Sequence, residues 1–352
     1  MDKKQELLSL LLWTSASVIL GVIVTFLFLP LMGINASSAM TQMITEVFSD
    51  KFAMGNILIK AAPLILTGLA FSFTYKANLY NIGAQGQFYV GCIFAVSTSL
   101  ALQNNLPGPV VIVLSMLASM IGGALMGWII GFLKAKFNAN EFLTSMMSTY
   151  VVIYLMQFLL RTVLQEDKHE YLKTNPLDKS VWLPKLIPGT AVSWGIVVSV
   201  LAAIIIWFIL YRTSLGYRIR VTGANMEAAR LSGIDPKKEF MVAFAISGAV
   251  AGLAGFVEIN GMQHMLLTGF DGTIGSYGIG IAIMSNANPI AVIFSSLLFG
   301  FLRVGGTVLA HSCNAPTSTI DLMLGFVMVF VLISFYFRNQ YEIRKMKKSK
   351  LV

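Results

Sequence analysis

The chain is poor in charge: only 12% of its 352 residues are Asp, Glu, Lys or Arg, against 56% hydrophobic, and mean hydropathy is +0.76. A soluble protein carries about 25% charged residues. Half that supply leaves too little polar surface to face water, which argues against a soluble enzyme. Cysteine is nearly absent. Cys92 and Cys313 lie in or beside apolar segments without a C-x-x-C, so zinc and thioredoxin-like chemistry fall away. His169, His264 and His311 are scattered, with no H-E-x-x-H and no pair at helical spacing. No G-x-x-x-x-G-K-[ST] occurs, so the chain has no P-loop of its own. No metal or cofactor is expected.

Long apolar runs are what the sequence has in their place. Residues 7–31 carry no charge, enough to cross a hydrocarbon core of about 30 Å. The run exceeds the roughly 7–15 residues of a cleaved leader's apolar core, so a retained first span is expected. Further runs cover 57–73, 88–102, 110–133, 142–160, 192–210, 240–257, 291–309 and 322–337. Another candidate, 270–284, is short and holds Gly272, Gly275, Gly278 and Gly280, each costing about 1 kcal/mol of helix propensity relative to Ala. The pattern predicts an all-α membrane protein of about ten transmembrane segments, with broken or re-entrant stretches near 77–91 and 269–284.

The net charge of +9 would suggest nucleic acid in a soluble protein, but the basic residues sit mostly in loops and the tail. Cytoplasmic loops retain Lys and Arg. Lys3, Lys4, Lys76, Lys134, Lys136, the basic residues between Arg212 and Lys238, and those from Arg338 to Lys350 are placed together if both termini are cytoplasmic. That arrangement needs an even number of crossings. The partner of the surface is then the lipid bilayer and not nucleic acid. An outward loop over 161–190 mixes Arg161, Lys168, Lys173, Lys179 and Lys185 with Glu166, Asp167, Glu170 and Asp178; it reads either as a solvated connection or as a docking surface for an external partner.

Charges inside spans are costly, which draws attention to Lys60, Glu258, Arg303 and Asp321, three of them near span ends where snorkelling or capping explains them. Gly123, Gly127 and Gly131, with Gly248 and Gly252, mark close-packing helix faces. In the longest inward loop, 212–239, Asn225 suits an N-cap, Glu227 the first turn, Arg230 the last and Gly233 the C′ position. These signals predict a two-turn helix. So short a helix is marginal alone and needs packing to hold it, which suits a lever.

Three stretches carry a family resemblance. Asn81-Ile82-Gly83-Ala84-Gln85-Gly86-Gln87 is similar to an N-x-G-x-x-G-Q segment, and Asn140-Glu141-Phe142-Leu143-Thr144-Ser145 to an N-E-hydrophobic-hydrophobic-T-T/S run. The third runs from Thr213-Ser214-Leu215-Gly216-Tyr217-Arg218 through Gly223, Asn225 and Glu227-Ala228-Ala229-Arg230 to Gly233-Ile234. Together they resemble the permease subunits of bacterial ATP-binding cassette importers for simple sugars, nucleosides and branched-chain amino acids. The resemblance covers roughly 56–337 and leans toward nucleoside permeases.

The resemblance implies one transmembrane permease domain over 1–337, a cytoplasmic coupling loop at 212–239 and a basic cytoplasmic tail at 338–352. It implies a cytosolic ABC ATPase, a second identical or related permease, and an external substrate-binding protein, possibly a lipoprotein. Gly216, Tyr217, Arg218, Asn225, Glu227, Ala228, Ala229, Arg230 and Gly233 would couple to the ATPase. Asn78, Asn81, Gln85, Gln87, Asn140, Ser145 and Tyr150 would line or shape the solute path, since amides and hydroxyls replace water around a neutral ribose and base. A permease for a simple sugar such as ribose or galactose is the nearer alternative. An ion-coupled transporter is more distant; it would need intramembrane carboxylates, for which Glu258, Asp271 and Asp321 are available.

Overall fold

The computed structural model describes residues 18–32, 34–49, 51–167, 171–187, 189–270, 273–313, 316 and 318–349. Lys3, Lys4, the first part of the span expected at 7–31, Lys168, His169, Glu170, Asp271, Gly272 and the end of the basic tail lie outside the described residues, as do the side chains of Arg338 and Arg344. The fold is all-α among the described residues and divides into two compact units, Leu58–Ser296 and the remainder.

The larger unit is built on three helices, α4 (Ala84–Leu102), α5 (Gly108–Phe137) and α10 (Pro236–Glu258). Glycine brings them together. A Cβ on Gly123 would meet the carbonyl of Gly248 and lie 2.9 Å from the Gly252 Cα, and one on Gly252 would lie 3.2 Å from the Gly123 Cα. The stripes therefore pack against each other within this chain, backbone on backbone. The Ser99 and Ser115 hydroxyls, 2.9 Å apart, join α4 to α5 inside this apolar contact. Around the trio lie α3 (Lys51–Tyr75), α6 (Glu141–Arg161) and α7 (Gly195–Arg212). The segment 212–239 supplies α8 (Ser214–Ala224) and α9 (Met226–Leu231), and α11 spans Ile274–Met284.

The smaller unit holds α1 (Val18–Phe28), α2 (Ala36–Ser49), the first residues of α3, most of α12 (Pro289–Ser312) and α13 (Ser318–Ser349). Val47, Ala53 and Val304 form its buried cluster, with Ile57, Phe301 and Val308 packed against them. Asn35 starts α2 by accepting from the amides of Ser37 and Ser38. The sequence reading had assigned no helix to 36–49.

The expected number of crossings is wrong. Among the described residues, six helices are long and apolar enough to cross a membrane: α3, α5, α6, α7, α10 with its continuation to Gln263, and α12. Two of the other expected spans fall short for identifiable reasons; of the first span, expected at 7–31, the described apolar helix is Val18–Phe28. In α4, Gln85, Gln87, Ser97, Thr98 and Ser99 dilute the apolar run. Helix α11 has 11 residues. The described apolar stretch of α13 is Ser318–Ser334. The cytoplasmic placement of both termini rested on the distribution of Lys and Arg and required an even number of crossings, which six meets as ten did.

The breaks are also displaced from where the sequence reading put them. The chain is irregular at 76–83, but 84–91 already belong to α4, and 274–284 form α11. The glycines of α11 were expected to interrupt it. They serve approach instead: a Cβ on Gly278 would lie 2.7 Å from the Thr67 backbone carbon, and one on Gly275 would strike the Gln85 backbone. Tertiary packing has overridden propensity.

The loop over 161–190 docks on the chain's own α10 extension. Helix α10 ends in a π-turn, Ile259–Gln263. The amides of Leu183, Leu177 and Thr174 donate to the carbonyls of Asn260, His264 and Leu266, each at 2.8 Å. Trp182 stacks flat on His264, centroids 3.7 Å apart and planes 7° from parallel. Burial, with Lys185 second, lowers the His264 pKa to about 4, so the imidazole is neutral at ordinary pH.

Candidate functional site

The site begins where α3 ends. The amide of Leu79 reaches back to the Thr74 carbonyl at 3.1 Å and that of Ala77 to the same carbonyl at 2.9 Å. Asn78 closes this turn at φ 56°, a left-handed conformation that Asn tolerates better than most residues. Its side chain is exposed. Asn78 thus has a complete local explanation as a helix terminator.

Asn81 is fully buried. Its Nδ2 donates to Gln87 Oε1 at 2.8 Å and to Ser247 Oγ at 2.7 Å; Gln87 Nε2 returns a bond to Asn81 Oδ1 at 3.4 Å. Ser247 in turn donates to the Ala70 carbonyl at 2.7 Å. Four segments are thereby tied by one amide cluster: α3, the turn, the first part of α4, and α10. Gln85, one turn from Asn81, accepts from the backbone amide of Ser276 in α11 at 3.0 Å. Buried amides left unpaired would be costly, so this network fixes how α4 begins.

Ser145 of α6 is buried against the same place. A Cβ on Gly83 would lie 3.0 Å from Ser145 Cβ and 3.3 Å from Asn81 Oδ1, and one on Gly86 would lie 2.8 Å from Thr149 Cα. Asn140 stands apart. It caps α6 by accepting from the amides of Phe142 and Leu143, at 3.0 and 3.3 Å, while Lys134 pairs with Glu141 at 2.8 Å. Tyr150 is exposed on the apolar face of α6 that includes Met146, Met147, Val151 and Tyr154. Of the seven residues singled out in the sequence, Asn81, Gln85, Gln87 and Ser145 converge, and Asn78, Asn140 and Tyr150 do not join them. The sequence reading missed Ser247 and Ser276; a serine beside Gly248 was the only local trace of the former.

The segment 212–239 is assembled by caps. Thr213 Oγ1 accepts from the Gly216 amide at 3.3 Å and starts α8. Asn225 accepts from Glu227 and Ala228 amides at 3.0 and 3.1 Å and starts α9. At its far end the Ile234 amide reaches the Ala229 carbonyl at 3.0 Å, with Gly233 at φ 78°. Ala229 is fully buried beneath α9, whereas Glu227 and Arg230, paired at 3.1 Å, face out with Ala228 and Leu231. Arg218 binds buried Glu239 of α10 at 2.8 Å. Tyr217 is exposed. Gly216 lies against Leu210, where a Cβ would sit 2.5 Å from its Cα, so α8 rests directly on the end of α7.

Lys76 links this loop's neighbourhood to α11: its Nζ donates to the Asn286 carbonyl at 3.1 Å. Burial, and then the Arg220 guanidinium, hold its pKa below the usual lysine value. Among the described residues, no group of three or more His, Cys, Asp or Glu side chains is placed to hold a metal ion.

Comparison with known proteins defines the class. The family described as branched-chain amino acid transport system / permease component matches residues 53–332. The guanosine ABC transporter permease protein NupP of Bacillus subtilis is 28% identical over 97% of this chain and 98% of its own length. The glucose ABC transporter permease protein TsgB13 of Haloferax volcanii is 30% identical over 88% and 83%. The nucleoside ABC transporter permease protein NupB of Lactococcus lactis is 27% identical over 90% and 88%. The chain belongs to this permease family. It is a multi-pass membrane protein and the permease subunit of an ATP-binding cassette importer.

Proposed function

We propose that this permease imports nucleosides, delivered by an external binding protein, possibly a lipoprotein, and driven by a cytosolic ABC ATPase. Two permease chains, identical or related, would enclose the path. The observation that carries the reading is near end-to-end similarity to a guanosine permease, supported by the similarity to a second nucleoside permease.

In this reading Asn81, Gln85, Gln87 and Ser145 shape a gate. Their amides and hydroxyl are paired with one another or with backbone and are buried, so the arrangement is that of a closed pass, whose polar groups would turn to solute when α4, α6 and α11 separate. Asn78, Asn140 and Tyr150 border it as the turn, the cap and the adjoining face. Gly216, Tyr217, Arg218, Asn225, Glu227, Ala228, Ala229, Arg230 and Gly233 build the cytoplasmic handle on which the ATPase acts. ATP binding would move α9 and shift the pathway between two arrangements.

A sugar substrate is the second reading, favoured by the 30% identity to a glucose permease. Uptake of labelled guanosine and uridine by the reconstituted complex, with excess glucose as competitor, tests the choice. ATP-dependent nucleoside uptake that glucose does not inhibit is expected. Glucose uptake without nucleoside uptake would replace the first reading with the second.

A further inference from the structure

Three contacts fix α8. Its start rests on Leu210 through Gly216, its middle is tied to α10 by Arg218 and Glu239 at 2.8 Å, and its end presses on the turn after α3. That last contact is made through Gly223. A Cβ there would strike the Lys76 carbonyl and lie 2.8 Å from the Ala77 carbonyl carbon and 2.9 Å from the Ala77 Cα. All three atoms are backbone, so no side chain can swing aside to make room. The turn so contacted is the one that carries Asn81, four residues on, into its bonds with Gln87 and Ser247. From its other side Lys76 holds the Asn286 carbonyl at 3.1 Å, just beyond α11. A rigid helix, one backbone contact and a short capped turn thus connect the loop bearing α9 to both helices, α4 and α11, that meet at Gln85 and Ser276.

We propose that Gly223 and Lys76 are positioning residues that hand movement of the coupling loop to the start of α4 and the end of α11, without touching solute. This rests on the ABC-importer reading of the site and deepens it. The direction of force is set by contact: if displacement of α9 drives α8 toward the turn, residues 76–77 must move with it, because the Gly223 approach leaves no clearance between them. A larger residue at 223 separates α8 from the turn and breaks the relay while leaving α9, the ATPase-facing part, built as before from Asn225 to Gly233.

The test uses the full complex in proteoliposomes with binding protein and solute, measuring ATP hydrolysed per solute imported for wild type, Gly223→Ala and Lys76→Gln. With Gly223→Ala, hydrolysis is expected to persist while import falls, so that the ratio rises about tenfold. Lys76→Gln, which removes a tie and adds no bulk, is expected to raise it in the same direction by about threefold. A merely structural role would lower hydrolysis and import together at constant ratio, and that result overturns the relay. So does a wild-type ratio in Lys76→Gln, which decides the matter if Gly223→Ala does not assemble. A wild-type complex that imports without consuming ATP would instead overturn the functional reading beneath the proposal.

Discussion

At the scale of residues, Asn81 holds Gln87 and Ser247 with one amino group, and its removal leaves the Gln87 carbonyl oxygen without that donor in a buried place. Asn81→Ala is expected to destabilise the larger unit by about 1–3 kcal/mol, read as a lowered midpoint in thermal unfolding of the purified chain, and to impair uptake. Asn140→Ala, which loses only an exposed cap, should cost about 1 kcal/mol. Equal effects would remove the distinction between network and cap. His264 gives a pH prediction. Its folded pKa, about 4, lies below the ordinary value near 6.5, so the unfolded chain binds more protons between those values. Stability contributed by the neutral ring is complete above pH 6.5 and falls as pH drops toward 4. His264→Phe, which keeps a ring against Trp182, should flatten the decline of unfolding temperature over that window; an unchanged slope would contradict it. The sequence named Asn81, Gln85 and Gln87 because amides in a run with glycines are conspicuous. It could not distinguish them from Asn78 and Asn140, whose capping roles depend on where helices end.

Among elements, α9 was the most legible: Asn225 and Gly233 bracket a helix found at Met226–Leu231, because both signals act within a few residues. Asn225→Ala is expected to weaken α9 by about 1 kcal/mol and to lower solute-stimulated ATP hydrolysis in the complex, with membrane insertion unchanged. The glycine stripes were read as packing faces within the chain or against a second copy, and the partner proved internal. Gly123→Leu should force α5 and α10 apart at a cost of about 1–3 kcal/mol or more, seen as reduced recovery of folded protein. Recovery equal to wild type would mean that the helices do not touch there. What stayed hidden was pairing across long separations. The docking of the 161–190 loop on Asn260, His264 and Leu266 joins residues some eighty to ninety positions apart, and no local pattern announces it. Helix α11 was misjudged for the same reason: its glycines face Gln85 and Thr67, and propensity alone registers only their cost.

For the whole molecule, scarcity of charge was enough to place the chain in a membrane, and its motifs were enough to place it in a permease family. The number of crossings was not legible, since apolar runs were counted without knowing which helices would be short or diluted by polar residues. The central claim is that this subunit is a pathway without a motor, moved through the handle at 212–239. Its most direct test is accumulation of labelled guanosine in vesicles that contain this permease alone or with its ATPase, permease partner and binding protein, each supplied with ATP on the ATPase side. Accumulation against a gradient is expected only in the complete system, and to cease when ATP is withheld. Accumulation by the single chain would contradict the account.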